Sequence, residues 1–176
     1  MNSTTREMKM NVKYEKKDAL TFIGFHKSIK EEDGYSECPK FWQESYVQRF
    51  AHLFQTQQPQ DALEKAVLDH KIGAFGICEN KGDSFDYWIA GLYHGGEVPE
   101  GLEIFQYPAR TWALFSIKGP LPDSLQKLNT EIWQEWYPTS GKQKRIDSSI
   151  MLEVYSEGDN QSLDYECGIW IPLKRC

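Results

Sequence analysis

The chain has 176 residues, with 20 Lys and Arg against 26 Asp and Glu and a formal charge of −6. Hydrophobic residues are 40% and charged residues 26%, which is enough to bury a core and too apolar for a disordered chain. An acidic chain without a basic block lacks the footprint that phosphate backbones select, so direct DNA binding is not expected.

No run approaches the roughly 18 apolar residues of a spanning helix, so no membrane role is expected. Met1 to Asn11 has no apolar stretch of a secretory signal, which points to the cytoplasm. Aromatic residues reach 14%, with six Trp. That is more ring surface than a core of this size needs, and it points to an aromatic-lined ligand site. Cys38, Cys78, Cys167 and Cys176 are widely separated, and His26, His52, His70 and His94 show no ligand spacing. No metal and no cofactor is expected.

Met8, Met10, Val12 and Tyr14 alternate with polar residues, the period of a half-buried strand. Lys16-Lys17-Asp18 turns it, and Leu20 to His26 reads as its hairpin partner. Lys30 to Lys40 is a loop. Phe41-Trp42, Tyr46-Val47, Phe50-Ala51 and Phe54 recur at helical spacing. Ala62 to Leu68 adds a short helix, and Ile72 to Cys78 and Phe85 to Tyr93 read as strands. Gly95 to Gly101 connects two halves. Leu102 to Tyr107 and Thr111 to Ile117 are strands. Leu121, Leu125, Leu128, Ile132-Trp133 and Trp136 mark a helix that Pro138 stops, with a polar loop from Thr139 to Ser148. Ile150 to Tyr155 and Tyr165 to Ile171 are the closing strands.

Each half reads strand, strand, helix, strand, strand, with repeats at about 8–94 and 102–173. Gly82-Asp83-Ser84-Phe85-Asp86-Tyr87 recurs as Gly158 to Tyr165. The fold class expected is α+β: two pseudo-twofold-related units, antiparallel sheets with helices on one face, and a ligand cleft on the axis, all in a single domain spanning 1–176. Strand parity puts Leu152 and Val154 on one face of their strand, expected to meet the helices. Met151, Glu153 and Tyr155 take the other, which is solvent or the groove. Glu166, Gly168 and Trp170 share a face opposite Cys167, Ile169 and Ile171. Trp170 and Gly168 are therefore expected beside Glu153, and Trp88 joins the candidate ligand residues. A carboxylate among rings recognises organic cations. An exposed Glu paired with a Lys is the alternative for Glu153.

Gly119-Pro120-Leu121-Pro122 with Trp133 and Trp136-Tyr137-Pro138 resembles the second half of the GyrI-like effector-binding domain. This is the small-molecule module of multidrug-responsive AraC- and MerR-type regulators. Leu152-Glu153-Val154-Tyr155, Glu157-Gly158-Asp159, Asp164-Tyr165 and Ile169-Trp170-Ile171-Pro172 resemble that family's closing hairpin. A Gly24-Phe25 strand and Phe41-Trp42 opening a helix resemble its first half. The resemblance implies two β-α-β-β units around a cleft that takes amphipathic, often cationic, small molecules. It implies that Glu153 is the strand glutamate of the site and Tyr155 an aromatic beside it. Gly168 stands where many members carry a second glutamate, which implies weaker holding of dications and more room for a flat ring.

The expected function is small-molecule binding by a stand-alone cytoplasmic effector-binding or drug-sequestering protein. Nothing remains in the chain for a DNA-binding domain, so a role in transcription would need a separate protein partner. The alternatives are a hydrolase of reactive electrophiles with Glu153 as general acid or base, and a protein inhibitor of DNA gyrase.

Overall fold

A computed structural model describes residues 10–175, so Met8 and Cys176 lie outside the described residues. Among the described residues there are eight strands: β1 (Asn11–Lys17), β2 (Leu20–Lys30), β3 (Phe75–Asn80), β4 (Ser84–Leu92), β5 (Glu103–Tyr107), β6 (Arg110–Lys118), β7 (Ile150–Tyr155) and β8 (Glu166–Pro172). They form one open antiparallel sheet in the order β1-β6-β8-β7-β3-β4-β2-β5. Exchanging each strand with its counterpart in the other half turns this order into its own reverse. A pseudo-twofold axis therefore runs between β7 and β3.

The expected β1–β2 hairpin does not form. β1 pairs with β6, and β5 pairs with β2, so the halves exchange their first strands. A two-residue hairpin needs positive φ in its turn, and neither Asp18 nor Ala19 adopts it. Met10 and Val12 pack instead into the core of the second half.

Helical segments are longer than the spacing predicts. The expected loop before Lys40 is helical from Gly34: α1 (Gly34–Trp42) contains Pro39 and continues in wide π-type turns over Gln43–Gln48. Then come α2 (Ala51–Thr56) and α3 (Ala62–Asp69). Asp61 caps α3 by accepting the Glu64 N–H at 2.8 Å. In the second half α4 (Asp123–Glu131) runs into wide turns over Ile132–Gly141 and a last turn, α5 (Lys142–Lys144). Pro138 does not stop this helix but sits inside the widened turns, where the Thr139 hydroxyl donates to the Glu135 carbonyl at 2.7 Å. Wide turns leave carbonyls that a side chain can take up, so the missing proline N–H is tolerated.

Cross-strand register shows which face the helices cover. The row Phe25–Ile89–Gly76–Glu153–Ile169–Phe115–Val12 crosses seven strands on one face. At one end of the row Phe25 and Ile89 pack with α1 to α3, and at the other Ile169 and Phe115 pack with α4 and its extension. Both helical layers therefore lie on the same side, with the middle of the row between them. The opposite face carries Phe22, Phe75, Ile77, Trp88, Trp112, Leu114 and Leu152, a cluster with no helical residue. Trp112 is nonetheless 0% exposed. The sheet curls over this face and buries it against itself.

Candidate functional site

The axis of the molecule passes through one residue pair. Gly76 on β3 faces Glu153 on β7, and the pairs on either side, Ile77–Leu152 and Phe75–Val154, exchange under the pseudo-twofold. Glu153 thus stands at the centre of the helix-bearing face, between the two helical layers. It is half-buried.

One carboxylate oxygen is engaged. Glu153 Oε1 accepts hydrogen bonds from the Tyr87 hydroxyl and, at 3.1 Å, from the Tyr155 hydroxyl. The Tyr87 oxygen in turn accepts the Trp42 indole N–H at 2.7 Å. Trp42 and Tyr155 meet edge to face with centroids 5.4 Å apart. A chain of donors thus runs from α1 to the carboxylate. Among the described residues Oε2 has no hydrogen-bond partner in the protein, and no Lys, Arg or His lies within salt-bridge distance of Glu153. Burial pushes the Glu153 carboxyl above its usual range, against the two tyrosine hydrogen bonds that pull it down. The same burial and the Glu153 charge hold the Tyr87 and Tyr155 hydroxyls protonated.

Gly76 makes the room for this arrangement. A Cβ at Gly76 would lie 2.6 Å from the Tyr87 hydroxyl oxygen and against Glu153 Oε1. Two half-buried cysteines, Cys38 on α1 and Cys78 on β3, also feel the Glu153 charge. Burial pushes the Cys38 thiol up to about 12 and raises the Cys78 thiol well above its ordinary value, so neither supplies a thiolate nucleophile near neutral pH.

Several residues expected at one groove are divided between two faces. Glu153, Tyr155 and Met151 are on the helix side, as one set. Trp170, Gly168 and Trp88 are on the other. Leu152, not Glu153, pairs with Trp170, and Glu153 pairs with Ile169. Trp170 packs on Phe75 and Trp112 and lies under the Lys17 ammonium at 4.5 Å. Trp88 is 5% exposed in the same helix-free cluster. A Cβ at Gly168 would stand 2.7 Å from the Phe115 carbonyl oxygen, so glycine there lets β8 lie close to β6 and opens nothing beside Glu153. The expectation that Leu152 and Val154 meet the helices fails because both faces of the sheet are buried, and aliphatic parity does not distinguish them. Tyr87, Trp42 and Gly76 complete the site. Tyr87 ends the repeated Gly-Asp…Tyr motif, but only its parity against Trp88 across β4 would have marked it.

The raised Glu153 carboxyl gives a pH dependence. In the empty protein the folded state holds this proton more tightly than the unfolded chain does. Its contribution to stability is therefore complete below the ordinary carboxyl value of 4.5 and is lost as pH rises through the folded value. Glu153→Gln should have no such loss. Thermal unfolding of both proteins should show wild type gaining on the variant as pH falls from neutral towards 4.5. A pH-independent difference would place the carboxylate in a water-like setting.

A model of the family described as integron-associated effector binding protein matches residues 13–173. No curated protein sequence matches the chain significantly. Among solved structures, SAV2435 bound to tetraphenylphosphonium superimposes with a TM-score of 0.73 at 19% identity, over 93% of this chain and 94% of that one. An integron cassette protein from the mobile metagenome of Vibrio cholerae gives a TM-score of 0.67 at 14% identity, over 96% and 99%. The EcmrR C-terminal domain gives 0.53 at 13% identity, over 97% and 99%. At these identities the likeness establishes the α+β fold expected from the repeat. No helix among the described residues is long and apolar enough to cross a membrane.

Proposed function

We propose, for a chain that belongs to the integron-associated effector binding protein family, that the Glu153 cleft takes up a lipophilic organic cation as its effector. One observation carries this: a crowded carboxylate has no cation of its own and one oxygen left unbonded, beside the rings of Trp42 and Tyr155. Leaving such a charge without a partner is costly, and a cationic ligand removes the cost. Aromatic faces add about 0.5–2 kcal/mol each by cation–π contact. The structure of SAV2435 with tetraphenylphosphonium supports the ligand class by analogy of fold. On this reading the protein works in the cytoplasm as a binding module for drug-like cations.

The test is a titration with tetraphenylphosphonium followed by Trp fluorescence, with Trp42 the expected reporter. Binding should weaken as pH falls through the Glu153 carboxyl, because the proton and the cation compete. A neutral analogue of the same shape should bind less tightly and without that pH dependence. The ligand should be recovered unchanged. A new product would favour the hydrolase reading, in which the same carboxyl transfers a proton.

A further inference from the structure

Basic residues from two stretches of the sequence, Lys142 with Arg145 and Lys174, line a hollow far in chemistry from the Glu153 site. It measures about 300 Å³ and is lined by Lys142, Arg145 and Lys174 with Tyr137, Gly141 and Ile146. Among the described residues no carboxylate lines it. Among the described residues none of these three cations has a carboxylate within salt-bridge distance, in a chain whose charge is −6. Asp147 is adjacent, feels the Lys174 charge, and is already engaged by the Tyr107 hydroxyl at 3.1 Å and the Ser149 N–H at 3.0 Å.

The frame behind these cations is fixed. The Lys174 N–H donates to the Arg145 carbonyl at 2.8 Å, and the Asp147 N–H donates to the Pro172 carbonyl at 2.7 Å. Ile146 and Leu173 form a β-bridge between these bonds. The C-terminal segment is thereby tied to the end of the α4 extension. Arg145 itself is held at φ 55°, in the left-handed region that a non-glycine residue adopts only where its surroundings require it. Three basic residues thus line one hollow on a fixed backbone frame, with the Lys142 ammonium over the Tyr137 ring at 6.0 Å.

We infer that this hollow, between the end of the α4 extension and the C-terminal segment, binds a phosphate-bearing small molecule. The guanidinium fork matches two phosphate oxygens, and the lysines supply point charges around it. The volume is at the lower end of small-molecule sites, and Tyr137 offers an apolar wall for the rest of the ligand. A nucleic-acid backbone fits less well, because the acidic remainder of the chain repels a long polyanion.

Calorimetric titration with pyrophosphate and with orthophosphate tests this on the intact protein. Pyrophosphate should bind saturably, more tightly than orthophosphate, and more weakly as salt is added. Joint replacement Lys142→Gln, Arg145→Gln and Lys174→Gln should weaken it by about tenfold or more. Arg145→Lys, which keeps the charge and loses the fork, should fall between the two. Tetraphenylphosphonium should bind wild type and the triple variant alike, so failure here is distinct from failure of the Glu153 reading. Absence of heat with either anion, or equal pyrophosphate affinity in the triple variant, would overturn the inference. So would a duplex DNA that binds more tightly than pyrophosphate and is lost in the same variant, since the ligand would then be a nucleic acid.

Discussion

Glu153→Gln should lower the affinity for a lipophilic cation by about tenfold to a hundredfold, the equivalent of 1–3 kcal/mol for a lost charge-assisted contact. The variant keeps the shape of the cleft. Its amide oxygen can still accept from Tyr87 and Tyr155, which bond the same carboxylate oxygen in the wild type. Only the charge is removed, together with the lone pairs on Oε2. The neutral analogue should therefore bind the variant about as well as wild type. The empty variant should be no less stable at neutral pH, because a crowded charge without a partner has been deleted. Loss of ligand affinity with retained or increased stability is the signature of a site that is strained when empty. If the cation binds Glu153→Gln as it binds wild type, the carboxylate is not the recogniser, and the rings alone select the ligand.

The pairing of affinity and stability explains why this glutamate was legible in the sequence while its surroundings were not. Parity within Ile150 to Tyr155 separates Glu153 from Leu152 and Val154 without further knowledge, and the strand is observed with those bounds. The side that each set faces depends on register with β8, which is a non-local property. Both faces of this sheet are apolar, so Trp170 was as good a neighbour on paper as Ile169. The strand exchange hid for a similar reason: β1 carries the alternation of a strand whichever partner it has. The repeat was visible because it is written in residues, Gly82 to Tyr87 and Gly158 to Tyr165. Its consequence, a pair on the axis, appears only when β3 and β7 are laid side by side. Pro138 marked an end that the chain does not respect, because it sits inside wide turns that tolerate the missing N–H.

That axial pair leads to the second large effect expected. Gly76→Ala should abolish tight cation binding and destabilise the fold, although it adds one methyl group. β3 lies at the centre of the sheet with partners on both sides, so its backbone has little freedom to retreat. The new Cβ would stand 2.6 Å from the Tyr87 hydroxyl oxygen and would press on the Glu153 carboxylate. Tyr87 is 1% exposed, with Phe41 and Phe85 packed around its ring, so it cannot swing away freely. Overpacking of this kind costs about 1–3 kcal/mol. The carboxylate is the softer side of the contact and should move first. It would leave the Tyr87 hydroxyl and with it the link to Trp42. Cation affinity should then fall at least as far as in Glu153→Gln, but the neutral analogue should lose affinity too. That second loss separates a misplaced carboxylate from a missing charge. Gly34→Ala is the control. Its Cβ would meet only the Phe85 ring, at 3.4 Å, and it lies at the start of a helix. It should leave binding unchanged. Tyr87→Phe in the Gly76→Ala background should recover part of the stability, since it removes the atom that the methyl group strikes. Should Gly76→Ala unfold in urea like wild type and bind the cation with the same affinity, Glu153 does not sit against β3 on the axis, and the site has to be rebuilt around a different wall of the cleft.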